Sequence, residues 1–156
     1  AGTYFSVNTK AFVQLPDAQA FHGFKALTLA FASGECGKEH WGGLDAQKLV
    51  TANVVALQQA DVGYVISTGG VDGIFTCQSE EGMETFIRRY QSSHLIGFDF
   101  NIEAQQTQAM IDSLVQQVGR AIKRHRHLRF GFTLAALGAG ETDSLNQTGR
   151  WVMEAI

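Results

Sequence analysis

The stretch Leu95-Ile96-Gly97-Phe98-Asp99-Phe100-Asn101-Ile102-Glu103 constrains this chain more than any other. It alternates with the period of a strand. Ile96, Phe98, Phe100 and Ile102 fall on one face, and Gly97, Asp99, Asn101 and Glu103 fall on the other. A strand this apolar belongs in the middle of a sheet with both faces covered. Placing two carboxylates and an amide there is costly unless each finds a partner. Such rows occur where chemistry is done, because burial and crowding separate the proton affinities of neighbouring acids. An edge strand with a wet polar face would carry the same pattern without any function.

Strands and helices alternate through the rest of the chain. Residues 2–7 read as a first strand, and 16–24 as a short helix with Pro16 in its first turn. Residues 26–33 form a nearly continuous apolar run, as a buried parallel strand does. A glycine-rich loop over 34–43 follows, then an amphipathic helix over 45–59 with Ala46, Leu49, Val50, Val54 and Leu57 on one side. Residues 63–67 are the third strand, broken by Gly69-Gly70. Ser79 caps a helix reaching Tyr90, whose stripe is Met83, Phe86, Ile87 and Tyr90. After the fourth strand, the spacing predicts a helix over 107–124 with Ile111, Leu114, Val115, Val118 and Ile122 inward. Residues 128–134 are a fifth strand, and Asp143 or Ser144 caps a last helix.

This alternation implies an α/β fold with a parallel sheet and right-handed crossovers. Chemistry in such sheets sits at the carboxyl ends of the strands. Ser33 and Glu35, residues 67–70, and Asp99, Asn101 and Glu103 all comply.

The 156 residues suit one domain, and a 45% hydrophobic, 17% charged composition suits a globular one. A net charge of −3 gives no reason to expect nucleic acid or an anionic membrane as partner. No apolar run is long enough to span a bilayer. No linker, low-complexity segment or short repeat is present. No basic start precedes an apolar core, so an export signal has been removed or never existed; Ala1 suits a mature terminus but also an arbitrary start, and a secreted chain without its signal peptide is the expectation.

Two motifs carry a resemblance. The fourth strand resembles the signature aspartate-glycine-x-aspartate-x-aspartate-x-glutamate, read here from Ile96 to Glu103. The third strand ends Ser67-Thr68-Gly69-Gly70, similar to serine-x-glycine-glycine. Both belong to the glycoside hydrolase family 18 chitinases of the secreted bacterial kind, which the chain resembles along essentially its whole length. The resemblance implies a parallel (β/α) barrel of TIM type, of which about five β/α units are present. It also implies cleavage of β-1,4-linked N-acetylglucosamine with retention, the substrate's own acetamido oxygen being the nucleophile. Chitin or its oligosaccharides would be the ligand.

Residue by residue, Glu103 matches the general acid, which must keep its proton until it meets the glycosidic oxygen. Asp99 matches the aspartate that shares protons along the row. Asn101 falls where the family has the aspartate that grips the acetamido N–H. Ser67, Gly69 and Gly70 would support the site from the next strand, small residues letting substrate or backbone approach.

Two departures follow. An amide at Asn101 can accept the acetamido N–H but cannot balance the charge of an oxazolinium-like intermediate. Losing such a preorganised charge costs roughly 2.7–4 kcal/mol. This leaves a catalytically impaired, chitin-binding protein as the alternative. Length is the second departure, because a barrel of this kind takes about 250 residues. Strands 1 and 5 would keep open edges, so the remainder of the barrel or a second copy is expected to close the sheet.

Cys36 and Cys77 lie in the loops after adjacent strands, where a bridge is geometrically reasonable and fits secretion; free thiols of a cytosolic protein are the other reading. Neither has a histidine at metal-ligand spacing, and no metal or cofactor is expected. Trp41, near Glu35 and His40 in a rim loop, could stack on a sugar ring or pack beneath its own loop. The basic run Lys123 to His127 reads as a solvated helix end. The sequon at Asn146 lies on an expected helix. A doubly wound domain binding a phosphate ligand is poorly supported, since no glycine-rich loop opens a helix in the required pattern.

Overall fold

The computed structural model describes residues 25–71, 73–103, 105–137 and 145–156, together with the backbone of 3–6. In chain order the strands are β1 (Thr3–Ser6), β2 (Ala26–Ala32), β3 (Gly34–Glu35), β4 (His40–Trp41), β5 (Leu44–Asp45), β6 (Gly63–Gly69), β7 (Phe75–Thr76), β8 (Leu95–Ile102) and β9 (Arg129–Leu134). The helices are α1 (Ala46–Gln59), α2 (Glu80–Tyr90), α3 (Gln108–Arg124) and α4 (Gln147–Ala155). The short helix expected over 16–24 lies outside the described residues.

Five strands form one parallel sheet in the order β1-β2-β6-β8-β9, which is their order along the chain. A doubly wound sheet reverses strand order at a switch point, and none occurs among the described strands. The arrangement is consistent with a partial α/β barrel. β8 lies between β6 and β9, so its polar face belongs to an interior strand and the edge-strand reading is overturned.

Helix starts are set by side chains. Asp45, Ser79 and Thr107 each accept from the backbone N–H three residues on, satisfying donors that no helical turn can reach. In α2 the expected stripe of Met83, Phe86, Ile87 and Tyr90 is buried without exception, and Glu80 and Glu81 open the helix while Arg88 and Arg89 close it, as the dipole favours. α4 begins one residue after Asn146, whose side chain accepts from Gly149 N–H at 2.8 Å. The expected caps Asp143 and Ser144 lie outside the described residues.

The core lies where the sheet's apolar face meets the helices. Phe98 of β8 packs on Phe86 of α2 with ring centroids 5.0 Å apart, and Phe100 packs on Phe75 at 6.0 Å. Phe130 and Phe132 of β9 continue the aromatic layer. Two sequence expectations change. Along α3 the buried stripe turns toward Gln117 and Ala121, leaving Ile122 46% exposed beside a groove with Phe132 and Ile156. Residues 34–43 are no plain loop: β3 pairs with β7, and β4 pairs with β5 as a small hairpin.

Candidate active site

Alternation on β8 sends Phe98 and Phe100 to the helices, leaving Gly97, Asp99 and Asn101 on the opposite face. Gly97 is required there, because a Cβ would come within 1.9 Å of the Arg129 carbonyl oxygen on β9. Asp99 is paired in register with Ser67 on β6. The Ser67 hydroxyl, fully buried, donates to Oδ2 of Asp99 at 2.7 Å. From the other side the Thr133 hydroxyl of β9 donates to Oδ1 at 2.7 Å. Both oxygens of the carboxylate are thus engaged by hydroxyls on the two flanking strands. Sequence reasoning missed Thr133, because nothing in an ordinary apolar strand marks which residue a neighbouring strand will meet.

Asn101 stands one alternation further on, buried, with Gly69 and Thr133 as its register partners. Its Oδ1 has no hydrogen-bond partner among the described residues. Buried acceptors left in that state cost about 1–3 kcal/mol, so an unpaired one marks a place where a donor is expected. The double glycine lets β6 lie close to this strand. A Cβ on Gly69 would lie 2.1 Å from the Asn101 carbonyl oxygen, and Gly70 N–H donates to that oxygen at 3.4 Å. Both glycines have positive φ, a conformation that side chains disfavour.

Glu103 follows the end of β8 and is half-buried. Its carbonyl oxygen accepts from Asn146 Nδ2 at 3.1 Å, so the cap of α4 also anchors the main chain beneath the candidate acid. The sequon reading hid this role. An Asn just before an amphipathic run is an N-cap signal that could have found it.

Trp41 is not a sugar platform. It is fully buried, and its indole N–H donates to the Tyr90 hydroxyl at 2.9 Å. Tyr90 in turn donates to Glu39 at 2.9 Å, and Arg89 closes the network by pairing with Glu39 and donating to the Gly37 carbonyl. Burial, reinforced by the Glu39 charge, pushes the Tyr90 phenol far above its ordinary value, which keeps it a donor. Glu35 is likewise spent on structure, accepting from the Thr76 hydroxyl at 2.5 Å and the Gln78 N–H at 2.8 Å. His40 is exposed on the hairpin.

Cys36 and Cys77 form a disulfide with Cα atoms 4.9 Å apart, tying the rim segments after β2 and β6. Glu35 and the two sulfurs lie close enough to suggest a metal site, but bonded sulfurs are not thiolate ligands. Among the described residues no helix is long and apolar enough to cross a membrane.

No family model and no curated protein sequence matches the chain. Among solved structures, the catalytic domain of a hyperthermophilic chitinase from Pyrococcus furiosus matches with a TM-score of 0.71 at 24% identity, over 97% of this chain and 52% of that one. Catalytic-site mutants of active domain 2 of the thermostable chitinase from that organism, complexed with chito-oligosaccharides, match at 0.71 and 23% over the same shares. The C-terminal domain of Legionella pneumophila ChiA matches at 0.50 and 17%, over 90% of this chain and 50% of that one. The chain thus spans about half the length of the structures it matches. At these identities the likeness is one of fold: the chain has a chitinase-like α/β fold, with Asp99 and Asn101 on an interior strand of its parallel sheet.

Proposed function

We propose that this chain supplies the first five β/α units of a chitinase-type glycosidase of family 18. The reaction is hydrolysis of β-1,4-linked N-acetylglucosamine by the substrate-assisted, retaining route. One observation carries the reading: among the described residues the buried amide oxygen of Asn101 has no partner, next to a carboxylate held by two hydroxyls. An acetamido N–H would satisfy that oxygen. Glu103, one alternation beyond, is the proposed general acid, protonating the leaving oxygen as the acetamido oxygen attacks the anomeric carbon. Asp99 is the standing negative charge of the row. Ser67 holds it, while Gly69 and Gly70 let β6 lie close against Asn101.

Further strands, from the same polypeptide or a second copy, are proposed to close the sheet and complete the sugar groove. The disulfide supports action in an oxidising, extracellular setting. A second reading, a chitin-binding protein with little turnover, is favoured by Asn101, which cannot supply counter-charge to a cationic intermediate.

The test uses the polypeptide carrying the complete barrel, assayed on chito-oligosaccharides. Asn101→Asp is expected to raise kcat roughly a hundred- to thousandfold, with a far smaller change in affinity. Glu103→Gln in that background should abolish the gain. An unchanged rate in Asn101→Asp, with a loss in Glu103→Gln, removes Asn101 from its role. Oligosaccharide binding with no turnover in any variant favours the binding protein, and absence of binding defeats both readings.

A further inference from the structure

We propose that Thr133 is a positioning residue for Asp99, one half of a two-hydroxyl clamp whose other half is Ser67. The inference rests on the catalytic reading above and adds a residue to it. β6, β8 and β9 are consecutive in the sheet, so the carboxylate is gripped from both sides, Oδ2 by Ser67 and Oδ1 by Thr133, each at 2.7 Å. The contact from β9 is not the one that register alone would produce. Asp99 is paired with Gly131, while Thr133 is paired with Asn101, so the Thr133 hydroxyl reaches diagonally along the sheet. Gly131 leaves room for this, since a Cβ there would touch nothing within 4 Å. Thr133 is itself exposed, so burial gives its hydroxyl no reason to seek a protein partner.

The consequence concerns charge. Asn101 is neutral, so on that side of the row the negative charge available to a developing cation is that of Asp99. A charge stabilises a transition state to the extent that it is already in place. Hydroxyl-to-carboxylate hydrogen bonds are among the stronger ones, and one on each oxygen removes the freedom of the carboxylate to turn.

Two measurements on the complete-barrel polypeptide test this. Thr133→Val keeps the shape and loses the donor, whereas Thr133→Ser keeps the donor. On chito-oligosaccharides Thr133→Val is expected to lower kcat about tenfold with KM nearly unchanged, and Thr133→Ser to keep most of the parent rate. An unchanged kcat in Thr133→Val, or an equal loss in Thr133→Ser, overturns the proposal. In crystals of Thr133→Val the Asp99 side chain is expected to take up a second conformer; an unmoved Asp99 overturns the clamp whatever the activity. A parent that neither binds nor cleaves the oligosaccharides defeats the functional reading and the catalytic role of Thr133 with it. The crystallographic comparison still decides the clamp.

Discussion

The indole N–H of Trp41 and the phenol oxygen of Tyr90 are hydrogen-bonded at 2.9 Å, which joins the β4–β5 hairpin to the last turn of α2 across 49 residues of sequence. An aromatic residue in a glycine-rich rim segment is therefore part of the core, and its loss is felt as stability. Trp41→Phe leaves the Tyr90 oxygen without its donor and opens a small cavity. Urea unfolding should show a loss of about 2 kcal/mol, with oligosaccharide affinity unchanged. Weaker sugar binding at unchanged stability would return Trp41 to the groove.

The disulfide closes a long loop, its cysteines being 41 residues apart in sequence. Chain-entropy arguments put the contribution of such a closure at about 4 kcal/mol, with about 2–4 expected after relaxation of the native state. The doubly substituted Cys36→Ser, Cys77→Ser protein should unfold at correspondingly lower denaturant. An unshifted midpoint would show that the Glu35, Glu39 and Trp41 hydrogen bonds hold these segments without it.

Gly69 and Gly70 both have positive φ, but they differ in what a side chain would strike. At Gly69 it meets the Asn101 carbonyl oxygen at 2.1 Å, a backbone atom that cannot step aside, whereas at Gly70 it meets the Phe31 ring at 2.9 Å. Gly69→Ala is expected to cost about 2–5 kcal/mol and Gly70→Ala less. Thermal melts in the reverse order would refute the close strand approach as the reason for the pair.

Glu84 of α2 accepts from His125 at 2.9 Å and Arg124 at 3.2 Å on the neighbouring helix end. Burial alone would raise its carboxyl, but the hydrogen bonds from His125 and then Arg124 outweigh it and hold Glu84 below the ordinary 4.5. A carboxyl lowered in the folded state contributes stability that is present above its unfolded value and lost as pH falls through the folded one. Stability should therefore decline below pH 4.5, with Glu84 supplying less than about 1 kcal/mol because it is partly exposed. Glu84→Gln should flatten that part of the stability profile; an identical slope would place the acid sensitivity elsewhere.

The sequence by itself determined the main strands, the helices and the residue row. Alternation on 95–103, the helical stripe Met83, Phe86, Ile87 and Tyr90, and the cap at Ser79 are local features, so a local pattern suffices to read them. The parallel sheet follows from the same alternation, while its chain order was what the resemblance implied. The sequence left Cys36 and Cys77 either bridged or free, and the structure shows the bridge. What only the tertiary structure decided are relations between strands and across loops. Whether Trp41 faces sugar or core depends on Tyr90, distant in sequence. That Asn146 reaches Glu103 rather than solvent depends on where α4 lands. That Thr133, and not its neighbour Gly131, meets Asp99 depends on a diagonal contact fixed by the register of β8 and β9. The physical reason is common to all three. Period and propensity say which way a side chain points from its own element, while its partner is chosen by packing between elements that the sequence keeps apart.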